Sequence, residues 1–147
     1  GGRHALLKEI GLPRFACGCG LDGCVDAIGS ARGMEKLHRH LTGTEMKAEE
    51  ILAAWQDGDE KAARTIDIYI DILAGPLSLV INMTGATIVP VGGGLSNSLP
   101  LIEALDHAVR ARILRKCQRP LVVEAECALV HGLVGAAVLG LAFASSR

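Results

Sequence analysis

The chain has 147 residues, half of them apolar, with 15 Lys and Arg against 16 Asp and Glu and a formal net charge of −1. That length matches one domain of ordinary size with enough apolar side chains to fill a core, and the near-neutral balance argues against a nucleic-acid binder driven by bulk electrostatics. Five cysteines are an odd number, no secretory apolar region opens the chain, and C-x-C spacing suits mutual disulfides badly, so a reducing, cytoplasmic setting is expected.

In chain order, the first segment that carries chemistry is Cys17-Gly18-Cys19-Gly20-Leu21-Asp22-Gly23-Cys24, three cysteines in eight residues. Thiolates and an imidazole complete a tetrahedral zinc site, and the intervening glycines let the backbone fold tightly enough to turn the sulfurs inward. A closed structural site takes four protein ligands, so one is needed besides Cys17, Cys19 and Cys24. His4, Cys117 and Cys127 are the candidates, and spacing does not choose among them. His4, with twelve residues between it and Cys17, is the favoured one. The plain alternative is a set of reduced thiols in a Gly-rich turn, although cysteine is more usually buried in apolar surroundings than set among glycines.

Over residues 25–41 apolar or small residues recur at helical spacing and Gly43 follows as a stop, which predicts one helix with Asp26 in its first turn. Thr44 is placed to cap a short helix over residues 48–56. Asp57-Gly58-Asp59 then breaks the chain, and a further helix begins near Glu60 and runs to about Asn82. Gly75-Pro76 lies inside that helix, where the missing donor of proline and its clash with the preceding turn predict a kink or a break near Ala74. Asp67 and Asp71, at i and i+4 on it, read as a solvated face rather than a catalytic pair.

Residues 86–91 form a β-rich run leading into Gly92-Gly93-Gly94-Leu95-Ser96, and a helix from about Ser98 to Arg115 follows. This is an α/β unit whose glycine turn lets a ligand approach bare backbone. The turn lacks both the Gly-x-Gly-x-x-Gly spacing and the P-loop lysine, and on local evidence a tight connection and a nucleotide contact are equally well served. Arg110, Arg112, Arg115, Lys116 and Arg119 form the one basic cluster, at the end of that helix, where cations complement the helix dipole and read as a solvated face rather than a phosphate site.

A second strand is predicted over residues 121–125, and after His131 comes the longest apolar run, residues 132–144. It is shorter than the roughly 20 residues of a membrane span, so it reads as a buried core helix and no transmembrane segment is predicted. Two strands against five helices leave sheet edges without partners, and unpaired edges invite another chain. The sequence reads as truncated or dependent on a partner.

Together these residues resemble the second half of a ROK-family protein, the family that joins sugar kinases with related transcriptional repressors. The segment Cys17-Gly18-Cys19-Gly20-Leu21-Asp22-Gly23-Cys24-Val25-Asp26 is similar to the family's C-x-C-G-x-x-G-C-x-E zinc signature, and His4 falls where its zinc-binding histidine would. Residues 27–33 match the helix start that follows, Gly58-Asp59 the family's Gly-Asp break, residues 88–96 its strand and Gly-Gly-Gly loop, and residues 132–137 its terminal Gly-x-x-Gly-Ala-Ala helix. The resemblance covers nearly the whole chain.

It implies an α/β fold: the C-terminal lobe of an actin-like ATPase (ribonuclease H-like) fold, helix-rich, with a short incomplete sheet and a zinc-binding loop. Residues 1–147 would be a single zinc-bearing domain lacking the N-terminal ATP-binding and catalytic lobe. In the complete kinase, ATP and magnesium would supply a γ-phosphoryl group to O6 of a hexose or N-acetylhexosamine, with an aspartate as general base and N-acetylglucosamine as the leading acceptor. Structural zinc would be held by His4, Cys17, Cys19 and Cys24, with the other ring nitrogen of His4 offered to a sugar hydroxyl. Asp26 stands where the family's sugar-contacting glutamate would, one methylene shorter, and Gly1 stands where a second sugar-contacting glutamate would. Gly92, Gly93 and Gly94 would face the nucleotide. The family's Asp-x-Gly-Gly-Thr phosphate loop and its Asn-Asp pair carrying the base do not occur in these 147 residues. The chain is therefore expected to be inactive by itself and to partner its missing lobe or a second copy, with no nucleic acid and no membrane involved. The alternative reading is the non-enzymatic sugar-sensing or interaction lobe of a ROK-type repressor.

Overall fold

The computed structural model describes residues 11, 12 and 14–125, over which five α-helices, one 3-10 turn and two short strands follow one another. Gly1, His4, Cys127, His131 and the apolar run at 132–144 lie outside the described residues.

The single helix expected over residues 25–41 is two. Helix α1 is one turn, Val25–Ile28, and α2 runs over Ala31–Thr42 after a corner at Gly29-Ser30. Ser30 is the reason: its side chain accepts from the Gly33 N–H at 3.1 Å, an N-cap that starts a new helix where apolar periodicity alone reads through. The corner is tight as well as capped, since a Cβ at Gly33 would lie 2.1 Å from the Ile28 carbonyl oxygen. Gly43 ends α2 in the left-handed conformation, as expected.

Helix α3, Ala48–Gln56, has the predicted bounds but not the predicted cap. Thr44 is not used; the Glu50 carboxylate accepts from the Lys47 N–H at 2.7 Å and Glu35 from the Ala48 N–H at 3.3 Å. Asp59 then caps α4 by accepting from the Ala62 N–H at 2.7 Å.

Helix α4, Glu60–Thr84, is continuous through Pro76, so the expected break is absent. Pro76 sits on the exposed face, while Ala74, Ser78 and Ile81 on either side of it are buried, and packing of both halves holds the element together. By length and composition α4 is the one helix among the described residues apolar enough to cross a membrane. Here it is the spine of the core, packed against α1, α2, α3 and the later helix Leu99–Arg110 through Ile66, Tyr69 and Ile70 among others.

Strand β1, Val89–Val91, pairs in parallel with β2, Val122–Glu124, in the register Val89 with Val122 and Val91 with Glu124. Both are shorter than expected. Pro90, which has no N–H to give, occupies the middle of β1, and the pairing is closed at its ends by Val89 N–H to Leu121 O at 2.7 Å and Ala125 N–H to Val91 O at 2.9 Å. Among the described residues each strand has one partner.

Between the strands, a 3-10 turn at Gly94–Asn97 leads into α5, Leu99–Arg110, which stops five residues before the expected Arg115. Arg110, Arg112 and Arg115 are bound back to the body of the protein. Arg110 donates to Asp106 and to the Cys117 carbonyl, Arg112 pairs with Asp71 on α4, and Arg115 donates to the Gly85 and Ala86 carbonyls. Arg110 and Arg112 are thus partly buried, with Arg112 tying the segment after α5 to α4, whereas Arg115, Lys116 and Arg119 are exposed, as expected of a solvated face. The same pairing corrects the reading of Asp71, while Asp67 is exposed.

Candidate functional site

The thiol segment is a closed knuckle. The Gly23 N–H donates to Phe15 O at 2.9 Å, Cys17 N–H to Leu21 O at 2.9 Å and Gly20 N–H to Cys17 O at 3.0 Å, with Ala16 and Asp22 paired as an antiparallel bridge. Gly20 and Gly23 hold φ of 87° and 78°, which side-chain-bearing residues rarely adopt. Folded this way, the sulfurs of Cys17, Cys19 and Cys24 all lie within 4.8 Å of one another, and Cys19 Sγ is 3.6 Å from Cys24 Sγ.

Three sulfurs sharing one tetrahedral zinc at about 2.3 Å stand roughly 3.8 Å apart. The knuckle is near that spacing without any rearrangement of its backbone, so the donor set fits such a site. Charge tells the same story. Cys19 is drawn below its ordinary pKa, first by the backbone at Leu21 and then by the neighbouring thiols of Cys17 and Cys24, whereas Cys24 is pushed up to about 11, first by Cys19 and then by Cys17. The Cys19 thiolate is thus favoured and that of Cys24 opposed by its neighbours, an opposition that a bound cation would relieve. Cys117 is half-buried and outside this cluster, which leaves His4 and Cys127 as fourth-ligand candidates, both beyond the described residues.

Asp26 is exposed on the single turn of α1 directly after Cys24, and its Oδ2 lies 3.9 Å from Cys17 Sγ. A thiol at Cys17 can donate to that carboxylate, but a metal-bound thiolate cannot.

The glycine loop sits at the end of β1. Gly93 has φ 91° and ψ −178°, a region that only glycine occupies readily, and its carbonyl accepts from the Ser96 N–H at 3.0 Å and from the Ser96 hydroxyl at 2.7 Å. Gly92, Gly93 and Gly94 are all exposed, and a Cβ at Gly93 or Gly94 would meet no atom within 4 Å. The bare backbone faces open space, not a packed neighbour, which is what close approach by an outside group requires.

The corner between α1 and α2, a few residues after the knuckle, and the glycine loop share one cavity. This cavity, of about 330 Å³, is lined on one side by Gly29, Ser30 and Ala31 and on the other by Gly92, Gly93 and Gly94, with Tyr69 and Leu73 of α4 among the residues between them.

Residues 3–142 match the family model described as ROK family. The chain belongs to the ROK family. Curated ROK relatives include the N-acetyl-D-glucosamine kinases of Pasteurella multocida, 36% identical over 94% of this chain and 46% of that protein, and of Yersinia enterocolitica, 33% identical over 88% and 43%. Among solved structures, the ROK hexokinase of Thermus thermophilus superposes with a TM-score of 0.69 at 29% identity, over 85% of this chain and 43% of that one. A ROK glucokinase of Streptomyces griseus, solved with glucose and AMPPNP, gives 0.69 at 22% identity, over 86% and 47%, and bears on the fold alone. The chain spans less than half the length of the relatives it matches, and its helix-rich body with a short parallel sheet is the architecture of these actin-like ATPase relatives.

Three roles were not assigned from sequence: Ser96, whose hydroxyl locks the glycine turn, Tyr69, whose hydroxyl donates to Gly29 O at 2.9 Å, and, farther off, Asp106, which anchors β2. Ser96 was legible as a serine following a glycine turn. Tyr69 and Asp106 were not, because their partners are 40 and 15 residues away in sequence.

Proposed function

We propose that these 147 residues are the C-terminal, zinc-bearing lobe of a longer ATP-dependent sugar kinase. Its reaction is phosphorylation of a hexose or N-acetylhexosamine, N-acetylglucosamine first, at O6, and this lobe is inactive without its N-terminal counterpart. The observation that carries the reading is the three-thiol knuckle placed directly before the Asp26 turn, in a ROK chain whose curated relatives are named N-acetyl-D-glucosamine kinases.

Zinc, when bound, would be held by Cys17, Cys19 and Cys24, with His4 the proposed fourth ligand, and would act as a structural clamp. The protein's own groups do the rest. The clamped knuckle presents Asp26 outward to accept hydrogen bonds from sugar hydroxyls, its shorter side chain reaching less far than a glutamate. His4, with one ring nitrogen on the metal, offers the other to the same sugar. Gly92, Gly93 and Gly94 present backbone to the nucleotide, which magnesium would shield as the phosphoryl group moves, and the general base would come from the other lobe. A cytoplasmic enzyme fits thiols kept reduced for metal.

The test has two parts. Elemental analysis of the purified chain should give one zinc per polypeptide. The complete protein should phosphorylate N-acetylglucosamine in an ATP-coupled assay while the 147-residue chain does not. Zinc without activity on any hexose or N-acetylhexosamine in the complete protein would remove the kinase reading and leave a structural metal lobe.

A further inference from the structure

We infer that Tyr69 is a positioning residue for the sugar-side turn: its buried hydroxyl, bonded to the Gly29 carbonyl, sets the direction in which α1 presents Asp26. This rests on the proposed role of Asp26 and goes beyond it by naming what aims the carboxylate.

Helix α1 is only four residues, too short to hold its own direction. It is held at both ends. At its N-terminus, Cys24 belongs to the thiol cluster. At its C-terminus, Gly29 N–H donates to Val25 O at 2.7 Å, and the Gly29 carbonyl receives the Tyr69 hydroxyl at 2.9 Å.

Gly29 is clamped sterically as well, because an added Cβ would lie 3.1 Å from Val25 O and 3.2 Å from Leu73 Cδ2. Tyr69 belongs to α4, the spine of the core, and is 2% exposed. The hydroxyl therefore ties a one-turn helix to the most rigid element in the lobe. Burial also pushes the phenol up to about 12, so it remains a donor throughout the working pH range.

Gly29 and Tyr69 both line the cavity shared with the glycine loop. Without the hydroxyl, the Gly29 carbonyl is left without its donor beside a largely apolar wall. The corner then relaxes toward water, carrying Asp26 with it.

The experiment is steady-state kinetics on the complete kinase carrying Tyr69→Phe, which removes one oxygen and keeps the ring. Sugar KM is expected to rise about three- to tenfold, the range of one hydrogen bond, with ATP KM unchanged and one zinc per chain retained. Gly29→Ala, whose methyl presses on Val25 O and Leu73, displaces the same corner from the other side and is expected to give the same sugar-only rise. It serves as the readout should Tyr69→Phe fold poorly.

Asp26→Ala is measured in parallel. If it raises sugar KM while both corner variants leave it unchanged, Tyr69 is structural only and the inference falls while the sugar role of Asp26 stands. Equal rises in sugar and ATP KM would mean general loosening and would also overturn it. No response to Asp26→Ala would remove the sugar reading itself, and the inference with it.

Discussion

The carboxylate of Asp106 accepts the backbone N–H of Leu121 at 2.7 Å, and the same Oδ1 takes the N–H of Val122 at 2.9 Å. Both donors belong to residues about 1% exposed, and the other carboxylate oxygen faces Arg110. A single buried acid on α5 therefore supplies the hydrogen bonds that a longer sheet would otherwise give to the start of β2.

Asp106→Ala should destabilise the lobe by about 2–4 kcal/mol, because two buried donors lose a charged acceptor at once. Urea unfolding would measure it. A midpoint shift equivalent to less than roughly 0.5 kcal/mol would show that water or another acceptor replaces the carboxylate without cost.

Removing a sulfur from the knuckle should release metal. Cys19→Ser keeps the size of the side chain and weakens the ligand, so zinc content should fall well below one per chain and the melting temperature should fall with it, since metal binding and folding are coupled. Elemental analysis beside a thermal melt reads both, and unchanged stoichiometry would end the metal assignment.

The glycine loop separates backbone conformation from ligand approach. Gly93→Ala forces a side chain into a φ of 91° and should cost about 1–3 kcal/mol in stability. Gly94→Ala adds a methyl where no atom lies within 4 Å and should leave the melting temperature unchanged. In a complete protein with the proposed kinase activity, Gly94→Ala should nevertheless raise ATP KM more than sugar KM if the nucleotide comes up against this backbone. Unchanged nucleotide kinetics would move the nucleotide elsewhere.

Acid should destabilise the lobe through His38. Its Nδ1 is 2.9 Å from the Thr65 hydroxyl, which itself donates to the Lys61 carbonyl at 2.9 Å, so Nδ1 carries the proton and Nε2 has none. Burial lowers the pKa from 6.5, against the attraction of Asp59 and together with the repulsion of Lys61. The unfolded chain thus binds a proton more readily than the folded one. Stability is complete above about pH 6.5 and is lost as pH falls from there toward the lower folded pKa. Melting temperatures of the metal-free chain at pH values from about 7.5 down to 5 should decline for the parent and flatten in His38→Gln; parallel slopes would show that His38 does not carry the effect.

Local grammar was legible in the sequence wherever a residue acts on its near neighbours. Gly43 ends α2, Asp59 starts α4, Gly93 makes the turn after β1, and the knuckle spacing marks Cys17, Cys19 and Cys24, all through interactions spanning a few residues. Apolar periodicity misread the stretch after Cys24 because it carries no information about a cap, and Ser30 cut one predicted helix into two. At Pro76 the local effect of proline predicts a kink or a break, and the helix is not broken there, with buried residues on both sides of the proline.

Residue order alone carries the identity of the chemistry: thiols in a turn, an acid behind them, and bare backbone after a strand. Tertiary structure alone decided their arrangement. Arg112 meets Asp71 across 41 residues, Tyr69 holds Gly29 across 40, and a common cavity joins the corner behind the knuckle to the glycine loop. The physical reason is that such pairings are chosen by how the helices bury their apolar faces around α4, a global balance of packing that no local window of residues contains.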